Sequence, residues 1–325
     1  MRNGREAGFA LIAVLWGLVL VGALAAAYLG ESRHVVRVSE NRNAELRARH
    51  TALAGLERAH NALERLHVLS LNAATRLDPV SQAHLTSVWN DLDRAFEEIA
   101  RDCLRDACYE FRVRDVGTAL NVNLASESQL RHLFLALDVD YREADIAAQS
   151  IADWIDADDV HRARGAEREY YLGLPFSYEP RNGPITDLSE LRRVRGLSGQ
   201  LYDLAAPHLS VEGDGRINLN AAPEPVLAAV PGLGPEALRV VLDGRRRGVL
   251  LSNVFELSVR LGPDAQARLQ DRVSEFMQVA VFLPRQIEVI STGRSAGRGI
   301  ATEIRAVYVR SGERVALLKR SRSYP

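Results

Sequence analysis

The sequence predicts an α+β protein. Three observations lead to this prediction: a helical pattern dominates residues 9–70, short helical segments punctuated by proline and glycine fill residues 124–271, and strand-like alternation occurs before and after that region. The first observation predicts a long N-terminal helix, and the third predicts a small antiparallel sheet.

The composition is that of a folded protein without a strong charge bias. The chain has 325 residues, enough for two domains with real cores, and a formal net charge of -1 from 41 basic and 42 acidic residues. Nucleic-acid binding depends largely on neutralising phosphates, so this balance weighs against a nucleic-acid partner.

The chain begins with a long apolar segment. Residues from Phe9 to Gly30 include no charged side chain, and as a helix they would extend roughly 33 Å, enough to span a bilayer. The segment is too long for an ordinary secretory signal. Arg2 and Arg5 precede it, which favours a cytoplasmic N-terminus. We therefore expect a single-pass membrane protein with most of the chain outside the cytoplasm.

The junction before this segment has a further feature. Gly8 and Phe9 follow a short charged leader, an arrangement that resembles the cleavage site of prepilin peptidases. The resemblance implies removal of residues 1–8 and N-methylation of Phe9. The fifth residue of the mature chain would be Ala13, where most pilin-like proteins have glutamate. A subunit without this glutamate cannot pair with the N-terminal amine of a subunit ahead of it, and therefore suits a filament tip.

The helix is expected to continue beyond the apolar segment. No proline or glycine occurs between Gly30 and Gly55. Leucines recur at helical spacing and predict one buried face, at Leu46, Leu53, Leu56, Leu63 and Leu66.

Residues 71–123 read as a turn and a helical segment, followed by a strand, a turn and a second strand. They include the only two cysteines, Cys103 and Cys108. In an oxidising periplasm these cysteines can form a disulfide, although the loop would be tight. If both lie in a helix, their side chains point apart. The spacing leaves both arrangements open.

Residues 124–271 contain an internal echo. The stretch LNVNLASESQLRHLF (120–134) is similar to INLNAAPEPVLAAV (217–230), and each predicts a short strand followed by a helix. Residues 226–248 resemble a helix-hairpin-helix unit with Pro231–Gly234 as its hairpin, followed by Arg245, Arg246 and Arg247. Such units can bind DNA phosphates through backbone amides. A membrane-anchored, extracytoplasmic DNA-binding protein is therefore the alternative function, and a purely structural hairpin is the other interpretation.

The most distinctive chemical stretch is residues 150–191, where Asp153, Asp156, Asp158 and Asp159 fall within seven residues. We predict a structural calcium site there, because close carboxylates repel unless a cation bridges them and because hard oxygen ligands favour calcium. Asp153 is expected to belong to the preceding helix, and Asp187 is a further candidate. A solvated acidic helix end is the simpler alternative. The predicted ligands are Asp156, Asp158, Asp159 and Glu167.

Residues 272–325 read as strands that complete the sheet, namely SEFMQVAVFL, IEVISTGR, GIATEIRAVYVR and RVALLKRSRS. The stretch Gly293–Gly297 matches the G-x-S-x-G pattern of hydrolases, but strand-like sequence lies on both sides and no histidine follows it. We read it as a hairpin loop. The sequence contains no H-E-x-x-H and no phosphate-binding loop motif, so we do not expect an enzyme.

The order of these motifs resembles the minor pseudopilin K family of type II secretion systems. The likeness is carried by the leader, Ala13, DWIDADD followed by GAE and YY, NGPITDLSELRRVRGL, and INLNAAPEPVLAAVPGLG. It covers nearly the whole chain. One departure is Arg168, which stands before Glu169 where a more acidic run is expected, so the resemblance does not extend to a second metal position.

The resemblance implies an arrangement and a role. Residues 124–271 would form a helical domain inserted into a pilin-like head made of residues 71–123 and 272–325, behind the spine helix of residues 9–70. The protein would bind calcium and prime pseudopilus assembly at the tip. Its partners would be minor pseudopilins I, J and H and the prepilin peptidase, with the outer-membrane secretin and secreted substrates as further candidates.

Overall fold

The computed structural model describes residues 4–76, 78–197, 199–296 and 299–323, and gives only the backbone course of residues 4–13, 26–36 and 323. It combines helices with an antiparallel sheet, which confirms the predicted α+β class. The helices are α1 (Gly4–Thr75), α2 (Pro79–Trp89), α3 (Leu92–Ala95), α4 (Glu127–Ala136), α5 (Tyr141–Ile155), α6 (Arg168–Leu172), α7 (Gln200–Ala205), α8 (Glu224–Ala228), α9 (Pro235–Arg246), α10 (Val254–Ser258), α11 (Pro263–Asp271) and α12 (Val273–Val279).

The main sheet packs on the second half of α1. The strands of the protein are β1 (Arg101–Leu104), β2 (Ala107–Asp115), β3 (Leu120–Asn121), β4 (Leu209–Ser210), β5 (Ile217–Asn218), β6 (Ala280–Val281), β7 (Gln286–Ser295), β8 (Ala301–Ser311) and β9 (Arg314–Ser323). The main sheet has the strand order β1-β2-β7-β8-β9 and is antiparallel throughout. Two further pairs of two-residue strands, β3–β4 and β5–β6, are parallel and lie in the helical part of the chain.

Small residues, more than leucines, form the face of α1 that meets the sheet. Leu56, Leu63 and Leu66 are buried as predicted, but Leu46 is 43% exposed, so its assignment to the buried face was wrong. Alanines occupy much of that face because the helix approaches the strands too closely for larger side chains. The buried alanines are Ala44, Ala48, Ala52, Ala59 and Ala62.

The apolar half of α1 is described only in part. The side chains of residues 14–25 are all exposed. Over the residues whose side chains the structure describes, no helix carries an apolar stretch long enough to cross a membrane. The predicted cleavage site at Gly8 and Phe9 lies among the residues whose side chains the structure does not describe. The same is true of both ends of the Phe9–Gly30 segment.

The two cysteines face each other across a hairpin rather than along a helix. Cys103 on β1 is directly opposite Cys108 on β2, and a disulfide bond joins them. Arg105, in the two-residue turn, has a positive φ of 54°, which suits a tight hairpin turn. The bond therefore ties the edge strand β1 to β2.

The buried hydrophobic side chains of the described residues form two separate cores. One lies between α1 and the main sheet, and the other lies within the helical insert that connects β2 to β7. The core of the insert extends from Leu120 to Ala280. The insert is thus longer at both ends than the expected residues 124–271.

The C-terminal boundary differs because residues 274–283 were interpreted as a strand. Most of this stretch forms α12, and only Ala280–Val281 pair as β6. Phe276 is fully buried while Met277 is 48% exposed. A one-sided helix of this length gives nearly the same alternation of apolar and polar residues as a strand.

The internal echo corresponds to a repeated structure. In each copy an asparagine at the end of a short strand accepts a hydrogen bond from the backbone two residues on, Asn121 from Asn123 and Asn218 from Asn220. The second asparagine of each copy then bridges a distant backbone segment, at Ile185 and Leu251 respectively. The repeated N-x-N motif is therefore a buried turn that fixes the following helix.

Candidate metal centre

The candidate site is built at the C-terminal end of α5. Trp154 of this helix packs edge-on against Tyr171, with ring centroids 5.0 Å apart, and donates from Nε1 to Glu190 at 3.1 Å. The hydroxyl of Tyr171 accepts a hydrogen bond from the backbone of Arg195 at 3.2 Å. These buried aromatic contacts hold the loop that follows α5 against the helix.

Three carboxylates converge in this loop. Asp153 and Asp156 lie in the last turn of α5 and at its C-terminal cap, and Glu167 lies just before α6. One oxygen from each lies within 4.8 Å of the others. Asp153 is fully buried and Glu167 is 3% exposed. Acidic groups at a helix C-terminus also meet the negative end of the helix dipole, so this position favours a cation.

The carboxyl group of Glu167 has no hydrogen-bond partner among the residues that the structure describes. Within the described part of the chain, neither oxygen accepts a hydrogen bond, and Oδ1 of Asp156 is in the same state. Burial, and after it the charges of Asp153, Asp156, Asp159 and Asp158 in that order, together raise the pKa of Glu167 to about 7. Both effects disfavour the charged form, and a bound cation would reverse them.

Arg162 supplies the positive charge that the structure places among these groups. Its Nη1 donates to Oδ1 of Asp153 at 2.5 Å and to Oδ2 of Asp156 at 2.7 Å. Its backbone nitrogen donates to Oδ2 of Asp153 at 3.2 Å. These two carboxylates raise the pKa of Arg162.

The backbone beside the site leaves no room for a side chain. A Cβ built on Gly165 would overlap the carboxylate of Asp153. The glycine therefore lets the loop pass directly over Asp153, and this close approach contributes to its complete burial.

The predicted ligands fall into two groups. Asp156 and Glu167 belong to the convergent set, whereas Asp158 and Asp159 are exposed and outside it. Asp158 accepts a hydrogen bond from the backbone of Val160 at 2.8 Å, and Asp159 accepts one from Asn182 at 3.2 Å. Asp187 caps the turn of 3₁₀-helix at Leu188–Arg193.

Sequence reasoning left Asp153 out of the predicted ligands. The signal was available, because Asp153 and Asp156 are three residues apart and so lie on one helix face. The three carboxylates offer oxygen atoms only, which is the donor type that calcium prefers. Buried oxygens without hydrogen-bond donors are consistent with such an ion, so Asp153, Asp156 and Glu167 have the chemistry that a calcium ion requires, whereas the predicted ligands Asp158 and Asp159 lie outside this set.

Arg245, the first residue of the arginine run at 245–247, has a structural role in the hairpin of residues 226–248. Arg245 is half-buried and donates to the carbonyls of Ala222 at 2.5 Å and Ala221 at 3.1 Å. Arg246 pairs with Asp243, and Arg247 donates to the backbone of the same aspartate at 3.2 Å. The cationic cluster expected of a DNA-binding hairpin is thus engaged within the protein.

The hydrolase-like stretch is also structural. Gly293 and Ser295 lie on β7, and Ser295 is 5% exposed. A nucleophile of this class requires a turn between a strand and a helix, whereas β7 is followed along the chain by β8.

Comparisons with known proteins agree on one family. Residues 110–213 match the family described as type II secretion system protein K. A Pseudomonas aeruginosa protein of that name is 31% identical over 255 residues, which cover 76% of this chain and 74% of the relative. A Klebsiella pneumoniae protein of the same name is 27% identical over 261 residues, covering 74% and 73%.

The fold has a solved counterpart. A chain in the crystal structure of the GspK-GspI-GspJ complex from enterotoxigenic Escherichia coli superposes with a TM-score of 0.53 at 18% identity, over 78% of this chain and 99% of that one. At this identity the match supports the fold. The Pseudomonas aeruginosa relative shows the family as well, because it is 31% identical over 76% of this chain. The chain therefore belongs to the type II secretion system protein K family.

Proposed function

We propose that this protein is a minor pseudopilin at the tip of the type II secretion pseudopilus, where it primes assembly and so supports the export of folded proteins across the outer membrane. The observation that carries the proposal is the helical insert, a second domain with its own core placed between the adjacent strands β2 and β7. Subunits along a filament shaft have neighbours on every side. A domain of this bulk is accommodated more readily at the end.

The N-terminal sequence supports the same position. Ala13 replaces the glutamate that would pair with the N-terminal amine of a subunit ahead, so a subunit at the tip loses nothing by lacking it. We propose that residues 9–30 anchor the mature chain in the inner membrane before assembly, with the head and insert in the periplasm. In this role the protein is structural rather than catalytic.

Partners follow from the solved counterpart, whose complex contains GspI and GspJ. We propose that the corresponding minor pseudopilins I and J bind this chain, with H, the secretin and secreted substrates as later contacts. We also propose a structural calcium ion held by Asp153, Asp156 and Glu167.

Intact-mass measurement tests the first requirement of this proposal. Full-length chain extracted from membranes should lose residues 1–8 and gain one methyl group on Phe9 only in cells that contain the prepilin peptidase. A Gly8→Ala variant is the matched control and should keep its leader in both strains. An unprocessed wild-type chain in both strains would remove the protein from the pilin class.

Co-purification tests the place in the filament. The full chain in detergent should co-purify with pseudopilins I and J, and an Ala13→Glu variant should not enter the shaft, because the bulk of the insert is unchanged. Absence of a complex with I and J, or efficient incorporation of Ala13→Glu along the filament, would contradict the tip position.

A further inference from the structure

Arg162 lies where a bound cation would exert its charge. Its guanidinium reaches Asp153 at 2.5 Å and Asp156 at 2.7 Å, two of the three carboxylates proposed to hold calcium. The protein therefore already contains a positive charge for this acidic group.

That charge satisfies only part of the group. Among the described residues, Glu167 has no hydrogen-bond donor at either oxygen although it is 3% exposed, and Oδ1 of Asp156 also lacks one. A buried carboxylate without a donor is costly, and its presence beside two others indicates a ligand that the protein chain does not provide. Arg162 thus neutralises Asp153 and one oxygen of Asp156, and it leaves Glu167 and the other oxygen of Asp156 without a partner among the described residues.

Arg162 and a calcium ion cannot both bind Asp153 and Asp156 at the same time. A divalent ion bound by Asp153 and Asp156 would repel a guanidinium that touches the same two groups, and the carboxylate oxygens held by Arg162 are oxygens that calcium needs. A second carboxylate is at hand for the guanidinium, because Nε of Arg162 lies 3.8 Å from Oε2 of Glu127 in the first turn of α4.

We propose that Arg162 is an exchangeable counter-ion of the calcium site. It neutralises Asp153 and Asp156 in the metal-free protein, and calcium displaces its guanidinium towards Glu127. The proposal rests on the calcium site proposed above and adds how the site remains folded without the metal.

Movement of the Arg162 guanidinium would also affect ion pairs outside the loop. Glu127 pairs with Arg131, which in turn contacts Asp145 of α5 at 2.8 Å. Arrival of the Arg162 guanidinium at Glu127 would therefore change a charge network that joins the first turn of α4 to α5.

A thermodynamic consequence distinguishes this role from others. If Arg162 stabilises the metal-free form more than the calcium-bound form, its removal must tighten calcium binding by the factor that corresponds to this difference. If it instead held the ligands in place around the metal, its removal would weaken calcium binding.

The test uses the full chain in detergent, with calcium affinity from titration calorimetry and melting temperatures with chelator or saturating calcium. Arg162→Gln should bind calcium about 10-fold more tightly or better and melt lower than wild type in chelator, and the difference in melting temperature should be smaller in saturating calcium. Arg164→Gln is the matched control, because Arg164 lies in the same loop but pairs with Asp145 at 3.3 Å. It should change calcium affinity less than about 2-fold, the spread expected for a charge that touches no ligand.

The outcomes separate the two proposals. Unchanged or weaker calcium binding by Arg162→Gln would overturn the exchange while leaving the calcium site standing. Calcium binding by Arg162→Gln but not by wild type would overturn the exchange in the native chain, because it would show that calcium does not displace the Arg162 guanidinium. Absence of binding by either protein would overturn both.

A second variant tests the destination of the guanidinium. Glu127→Gln should weaken calcium binding in the Arg162 background and have no effect in the Arg162→Gln background, since coupling requires both side chains. An equal effect in both backgrounds would overturn the movement towards Glu127.

Discussion

Gly293 of β7 packs directly against the backbone of Ala48 in α1. A Cβ built on Gly293 would overlap the carbonyl oxygen of Ala48 and lie 2.5 Å from the backbone nitrogen of Ala52. Contact at this point is between backbones, and it sets the distance between the long helix and the main sheet.

Substitution of this glycine should therefore push the helix from the sheet. Gly293→Ala is expected to lower the free energy of unfolding of the head by about 1–3 kcal/mol, the usual cost of overpacking. Gly183→Ala is the control, because its nearest neighbouring atom would be 3.9 Å from the new Cβ. Thermal unfolding of the full chain in detergent measures both, and equal stability of the two variants would refute the close-packing argument.

Calcium should stabilise the native chain through the convergent carboxylates. Saturating calcium is expected to raise the melting temperature of the wild type by mass action, and Glu167→Gln or Asp156→Asn should remove that increase. Asp158→Asn, an exposed change in the same loop, should retain it. Loss of the calcium response in Asp158→Asn as well as in Asp156→Asn and Glu167→Gln would instead favour the ligand set predicted from the sequence, which includes all three residues.

A half-buried carboxyl group, that of Asp115, gives a pH dependence away from the metal site. Burial raises the pKa of Asp115 to about 6, against the lowering effects of hydrogen bonds from Asn218 and Gly117 and of the charge of Arg310. Between about pH 4 and pH 6 the folded protein thus keeps a proton that the unfolded chain has released. The stabilising contribution of Asp115 is complete below this window and is lost as the pH rises through it.

Asp115→Asn removes this titration. The melting temperature of the wild type relative to Asp115→Asn should fall as the pH rises from about 4 to 7. The comparison cancels the titration of all other groups that the two proteins share. Parallel melting curves across this range would contradict a raised pKa at Asp115.

Adjacent arginines at the helical hairpin should differ in importance. Arg245→Gln breaks hydrogen bonds from a charged group to Ala221 and Ala222 and is expected to lower the free energy of unfolding by about 1.5–3 kcal/mol. Arg246→Gln changes a side chain that is 78% exposed and should cost less than about 0.5 kcal/mol. Chemical denaturation measures both; tight DNA binding that is lost in either variant would restore the DNA-binding alternative.

Only part of the metal centre could be predicted from the sequence. Residue type identifies possible oxygen ligands, but only the fold shows which of them come together. Asp156 and Glu167 were predicted from their oxygen ligands and from their place in an acidic stretch. Asp153 was assigned to the preceding helix, and α5 does include it, but a residue in the last turn of a helix can still turn its carboxylate into the site. Arg162, the counter-charge, lies in a sequence position that no ligand pattern marks, and its role emerges only from the folded loop.

The fold shows the same limit. The α+β class followed from periodicity, since helix and strand repeats differ over long segments. Leu46 was placed on the buried face for its hydrophobicity, whereas Ala48 is the residue buried there. Close approach of two backbones selects small side chains, and that requirement depends on which strand the helix meets.

The insertion between β2 and β7 has a kinetic consequence. Phe111 and Ser291 pair across the sheet although 180 positions separate them in the chain, so the central pairing of the head requires closure of a very long loop. Asp115 and Ile287 are opposite each other at the end of this pairing, which means that the folded insert holds its two ends together. Prior folding of the insert would replace that long closure by the joining of two neighbouring chain ends. Assembly of the head sheet is then expected to wait for the insert, and slow folding of the insert would delay the subunit as a whole.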